Sequence, residues 1–158
     1  MSTFSVHQWN DLESGLREMR RVTRGSVVIL TCDPALLDRF WLTEYAPDVI
    51  STEARRYPSM DALQRHLGGT VSVDLVPIPL DCSDGFNEAY YGRPEYLLDP
   101  KARAACSAWS FIPKPTAADY ARALEEALKS GEWDARHGTL RNQPTFEGSL
   151  VRVSALPS

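Results

Sequence analysis

Residues 5–34 read SVHQWNDLESGLREMRRVTRGSVVILTCDP, and this stretch decides the fold. Asn10 and Glu13 stand at capping-box spacing. Leu12, Leu16, Met19 and Val22 then recur at helical period, which predicts an amphipathic helix. Glu13 and Arg17 can pair at i, i+4, and Arg20, Arg21 and Arg24 crowd the end where the helix dipole favours cations. Gly25 is the expected left-handed residue that stops the helix. Val27, Val28, Ile29 and Leu30 follow without alternation, as in a strand buried on both faces of a parallel sheet. In open sheets of this kind ligands sit beyond the carboxyl ends of the strands. The segments 5–10 and 31–34 fall there.

Working outward, Phe4 and Val6 read as the tail of a preceding strand, so abrupt a start that a truncated or split gene product is expected. After Pro34 a helix is predicted with Leu36, Leu37, Phe40, Trp41 and Tyr45 on its apolar side, ended by Pro47. A broken segment over 48–57 leads to a short helix capped by Ser59, with Leu63 and Leu67 inward and Gly68-Gly69 closing it. Val71, Val73 and Leu75 alternate with Ser72 and Asp74, giving a half-buried strand over 71–78, with Pro77 and Pro79 favouring an edge. Asp99-Pro100 is a helix start. Thr116 opens a longer helix that Gly131 closes, and Leu150, Val151, Val153 and Ala155 form a last strand.

The 158 residues fit one α/β domain large enough to bury a core. The expected division is a sheet region at 1–34, 70–80 and 148–156, with helical insertions at 35–69 and 81–138. A net charge of −4 argues against a general nucleic-acid or membrane-surface binder, which needs clustered Lys and Arg. The arginines of 17–24 are interleaved with acids and read as a solvated face. Three cysteines without C-x-x-C spacing, and no leader before them, fit a reducing cytoplasm. No apolar run approaches the ~20 residues of a membrane-spanning helix.

SVHQW, a helix ending in EMRRV, a glycine, an apolar strand and an Asp together resemble class I S-adenosylmethionine-dependent methyltransferases, of the type 11 kind. The order that follows also fits: inserted helices, a further strand, DCSDGF, a long helix and a final strand. The resemblance spans nearly the whole chain but corresponds to the C-terminal half of that Rossmann-like fold. It implies a mixed sheet whose last strand, 150–156, runs antiparallel between 27–31 and 71–78, with an inserted helical cap. It also implies a small-molecule methyl acceptor and S-adenosylmethionine as donor. The glycine-rich first loop of the family is absent, since no G-x-G-x-G occurs in the chain. Weak or no donor binding by these residues alone is therefore expected. So is a homodimer, or a complementing N-terminal half, to cover the sheet edge beside 27–31. The alternative is a non-catalytic binding or interaction module derived from such an enzyme.

Several residues carry candidate chemistry. His7 follows a strand end, where a histidine can serve as a general base, and a packed imidazole that shapes the turn is the alternative. By the resemblance, His7, Gln8 and Trp9 border the methyl donor. Asp33 either binds a polar substrate group or begins a turn before Pro34. Asp81, Cys82 and Asp84 are a polar cluster past the next strand, without the spacing of a metal site. Most aromatics of the inserted segments read as core, while Trp41, Tyr45 and Tyr90 are candidates to line an acceptor pocket.

Overall fold

The computed structural model of the protein describes residues 1–157. In chain order the elements are β1 (Ser2–Thr3), α1 (Leu12–Val22), β2 (Val27–Cys32), α2 (Leu42–Tyr45), α3 (Pro47–Arg56), α4 (Met60–Leu67), β3 (Thr70–Leu75), β4 (Ile78–Pro79), α5 (Pro100–Ala105), α6 (Lys114–Ser130), α7 (Glu132–His137), β5 (Thr145–Phe146) and β6 (Leu150–Leu156). Short 3₁₀ turns fill much of the remainder. The chain divides into two compact units. The first comprises Met1–Leu37, Ala54–Val76 and the chain from Ser149 on; the second comprises Asp38–Glu53 and Pro77–Gly148.

The first unit holds a four-stranded sheet in the order β1-β2-β6-β3. β1 is parallel to β2, while β6 is antiparallel to both β2 and β3. The last strand thus runs antiparallel between the two strands named from the sequence, with Ile29 and Val73 each opposite Val153. β2 is less uniformly buried than its apolar run suggests: Val27, Ile29 and Thr31 are buried, Val28 and Leu30 half-buried.

Leu16 of α1 and Leu63 and Leu67 of α4 pack with Val27, Ile29 and Val153 in one apolar cluster. Fully burying a leucine stabilises by about 1.5–3 kcal/mol, so these helices are fixed mainly by that face. α4, expected among the insertions, is therefore part of the sheet layer. On β3, Val71 and Val73 turn toward the cluster, while Asp74 reaches Arg152 across the strand pair at 3.1 Å.

Several local expectations are corrected. The N-cap of α1 is Asp11, not Asn10: its carboxylate accepts from the Ser14 amide at 3.0 Å and the Ser14 hydroxyl at 2.6 Å. Nor does Gly25 end α1 in the left-handed region; the C-cap is Thr23. Thr23 itself serves carbonyls of the last turn, its amide donating to Arg20 at 3.2 Å and its hydroxyl to Met19 at 2.7 Å, while the Arg20 guanidinium ties down the Thr23 and Gly25 carbonyls beyond the helix. Pro47 starts α3 rather than stopping a helix, because at the first helical position its missing N–H costs nothing. The preceding helix is only a 3₁₀ turn at Leu37–Arg39 and the four residues of α2. The strand predicted over 71–78 breaks at Pro77, which has no N–H to continue the ladder, and Ile78 pairs with Phe146 in a separate two-stranded sheet. α6 begins at Lys114, ahead of Thr116, and ends at Gly131 in the left-handed conformation as expected.

The second unit contains α2, α5, α6, α7 and the β4–β5 ribbon, with Trp133, Tyr91 and Phe40 among its fully buried side chains. Among the described residues, no helix is long and apolar enough to cross a membrane.

Candidate functional site

In the first unit, the residues past the strand ends are set by two short turns. Phe4 adopts a left-handed backbone with φ of 47°, which turns the chain out of β1. The 3₁₀ turn Val6–Gln8 then sends Val6 into the core, leaving His7 half-buried and Gln8 exposed. The His7 ring packs against Tyr57 with centroids 4.5 Å apart. Its Nδ1 is buried and has no hydrogen-bond partner among the described residues. Burial, and then the charge of Arg56, hold the imidazole below the ordinary histidine range. Neutral imidazole keeps one nitrogen lone pair, the state a general base needs.

Trp9 is committed to packing. A Cβ on Gly15 would lie 2.5 Å from Trp9 Cε3, so the indole lies directly over the α1 backbone at that glycine. Asp33 forms the turn that was one of its two readings: its Oδ1 accepts from the Ala35 amide at 3.0 Å, and its own amide donates to the Ser149 carbonyl at 2.8 Å. Thr31, one turn of the pleat before it, is fully buried, and its hydroxyl has no partner among the described residues.

In the second unit, Trp41 is a core residue. Its indole N–H donates to the Tyr91 carbonyl at 2.9 Å, and its ring meets Trp133 edge-on at 5.4 Å. Tyr45 is half-buried, its hydroxyl lacks a partner among the described residues, and burial raises its pKa. Tyr90 is buried and stacked on Tyr96 at 5.5 Å. Asp81 and Asp84 are exposed, and Cys82 contributes its carbonyl, which accepts from Arg93 at 2.6 Å. Among the described residues no three His, Cys, Asp or Glu side chains gather to hold a metal.

The structure also assembles a buried polar chain that the sequence did not reveal. Trp109 Nε1 donates to Asn87 Oδ1 at 2.9 Å, and Asn87 Nδ2 donates to Glu53 Oε2 at 2.7 Å. Glu88 is buried beside it in sequence. Cys106 lies in the same surroundings, and burial first, then the Glu53 charge, push its thiol up to about 12. The available signal was weak: Asn87 and Glu88 stand among apolar and aromatic residues, and Glu53 lies in a polar segment whose helix was not recognised.

No protein-family model and no curated protein matches the sequence. Among solved structures, the chain is similar to a protein of Anabaena variabilis provisionally assigned as a methyltransferase of an antibiotic biosynthesis pathway. The two share 27% identity and superpose with a TM-score of 0.88 over 98% of this chain and 64% of the Anabaena chain. This chain therefore spans just under two thirds of that protein's length, and its fold is methyltransferase-like.

Proposed function

We propose that this chain serves methyl transfer from S-adenosylmethionine to a small molecule, and that it carries the acceptor side of that reaction. The likeness to the Anabaena methyltransferase at a TM-score of 0.88 is the observation that carries the reading. The antibiotic-pathway assignment of that neighbour supports a small-molecule acceptor. His7 is the proposed base: a neutral imidazole accepts a proton from the acceptor's hydroxyl or amine as that atom becomes the nucleophile. Taken unit by unit, Asp33 is the proposed polar contact for substrate in the first, and Tyr45, Asp81 and Asp84, with Cys82 and Tyr90, are the proposed acceptor-binding residues of the second.

The proposed weakness of donor binding is supported by where the glycines and the residues past β1 lie. The left-handed glycines, Gly68, Gly69 and Gly131, all follow helix ends rather than joining a strand to a helix. Trp9 is occupied with Gly15, and Gln8 is exposed. S-adenosylmethionine is thus expected to bind residues 1–158 weakly or not at all. Titration calorimetry checks this: absence of heat at micromolar concentrations agrees with the reading, and micromolar affinity contradicts it.

A homodimer is also proposed. β1 pairs with β2 at Ser2–Ile29 and Thr3–Leu30, extended by the Phe4 amide donating to the Leu30 carbonyl at 3.0 Å, so a short ribbon guards the edge of a six-residue strand. Light scattering should give twice the chain mass; a monomer at high concentration overturns this part.

A further inference from the structure

A groove of about 390 Å³ opens within the second unit, and none of the roles above uses it. Ala118, Ala121, Arg122 and Glu125 of α6 line it at i, i+3, i+4 and i+7 spacing, so they share one helix face. The two alanines project only a methyl each, which leaves space open over the helix. Leu98 and Arg103 complete the lining. The volume falls within the ~300–1,000 Å³ range of small-molecule sites.

Arg103 is a half-buried cation whose charge is poorly answered. Its Nη1 donates to the Leu97 carbonyl at 2.5 Å, and its guanidinium carbon stands 5.6 Å from the centre of the Trp109 ring. These contacts fix the side chain without neutralising it. Among the described residues it has no ion-pair partner, and its Nε and Nη2 have no acceptor. Burial outweighs the help of the Asp99 charge and holds its pKa below the ordinary arginine value. The Asp99 carboxylate is occupied in capping α5, where it accepts from the Lys101 amide at 2.8 Å.

The other two charges are answered on their own helix. Arg122 pairs with Asp119 at 2.9 Å, and Glu125 pairs with Lys129 at 2.6 Å. The lining therefore carries two cations against one acid. That excess suits a monoanion, since a second negative charge would be repelled by Glu125. A guanidinium with two nitrogens left to donate matches a carboxylate, which accepts at both oxygens. Leu98 and the alanines offer apolar surface to the rest of such a ligand.

We propose that this groove binds a small carboxylate monoanion with an apolar body about the size of a single ring, held by Arg103. The site does not depend on the methyl-transfer reading. The test uses the full chain labelled with ¹⁵N and titrated with benzoate, with benzamide as the uncharged comparator of similar shape. The expected result is a saturable shift of the Arg103 Nε–H and of the backbone of residues 118–125. Benzamide should bind at least about tenfold more weakly, and Arg103→Gln should weaken benzoate about tenfold or more, as loss of a charge-assisted pair implies. If Arg103→Gln unfolds through loss of the Leu97 contact, Ala118→Leu takes its place. That substitution fills the groove from an exposed helical position and should weaken benzoate about fivefold or more. No saturable shift, equal binding of benzamide, or indifference to a folded variant overturns the proposal.

Discussion

The imidazole of His7 lies 4.5 Å from the ring of Tyr57, centroid to centroid, with its Nδ1 shut away from solvent. Burial and Arg56 both disfavour the charged ring, so its folded pKa lies below the ordinary 6.5. The unfolded chain then binds more protons than the folded one as pH falls through 6.5, and stability falls with it. An NMR titration should place the His7 midpoint under 6.5, and His7→Asn should flatten stability against pH between about 7 and 5. A midpoint above 6.5 contradicts the packing described for this ring.

Leu63 is wholly buried in the sheet cluster, whereas Leu75, on the edge strand, is 46% exposed. Leu63→Ala should cost about 3 kcal/mol in denaturant melts. Leu75→Ala should change stability by about 0.5 kcal/mol or less. Similar costs at both sites would mean that α4 is not part of the sheet's core.

Gly25 and Gly148 should respond oppositely to alanine. A Cβ at Gly25 meets nothing within 4 Å and its backbone is not left-handed, so Gly25→Ala should stabilise by about 0.4–1 kcal/mol through the unfolded chain. At Gly148 the added carbon would lie 2.5 Å from Glu88 Oε1 and 2.6 Å from Phe146 Cε1. Crowding the buried Glu88 carboxylate should destabilise by about 1–3 kcal/mol. Thermal melts of the two variants decide it.

The three cysteines differ in reach. Cys32 and Cys106 are buried and Cys82 is half-buried. The Cys106 thiol, raised to about 12, is scarcely ionised near neutral pH. A thiol reagent at about pH 8 should label Cys82 first, with Cys32 and Cys106 reacting only on unfolding. Peptide mapping that finds Cys106 modified first would contradict the burial of the Asn87–Glu53–Trp109 network.

The sheet was legible because two periods of apolar residues differ: 27–30 run continuously, while 71–75 alternate, and the strand order followed once the resemblance was weighed. Boundaries were less so. Two cap pairs, Asn10–Glu13 and Asp11–Ser14, compete at one-residue offset, and only the backbone chooses between them. Pro47 reads equally as an end or a beginning, and Pro77 divides a strand whose pattern continues past it. The candidate residues were legible as types but not as roles. Trp41 is fixed by Tyr91, 50 residues away, and Asn87 acquires its partners from segments 34 and 22 residues away.

The central claim is that these residues serve methyl transfer, and one measurement tests it most directly. The chain would be joined to the part of the Anabaena protein that it does not match, and the chimera checked for folding and donor binding. Transfer of a labelled methyl group from S-adenosylmethionine to a panel of small phenols, amines and acids would then be counted. The account predicts transfer to at least one acceptor, reduced about 100-fold by His7→Phe in a chimera that still binds donor, as expected for loss of a general base. A folded, donor-binding chimera that transfers to none of them would contradict the account and favour a non-catalytic binding module.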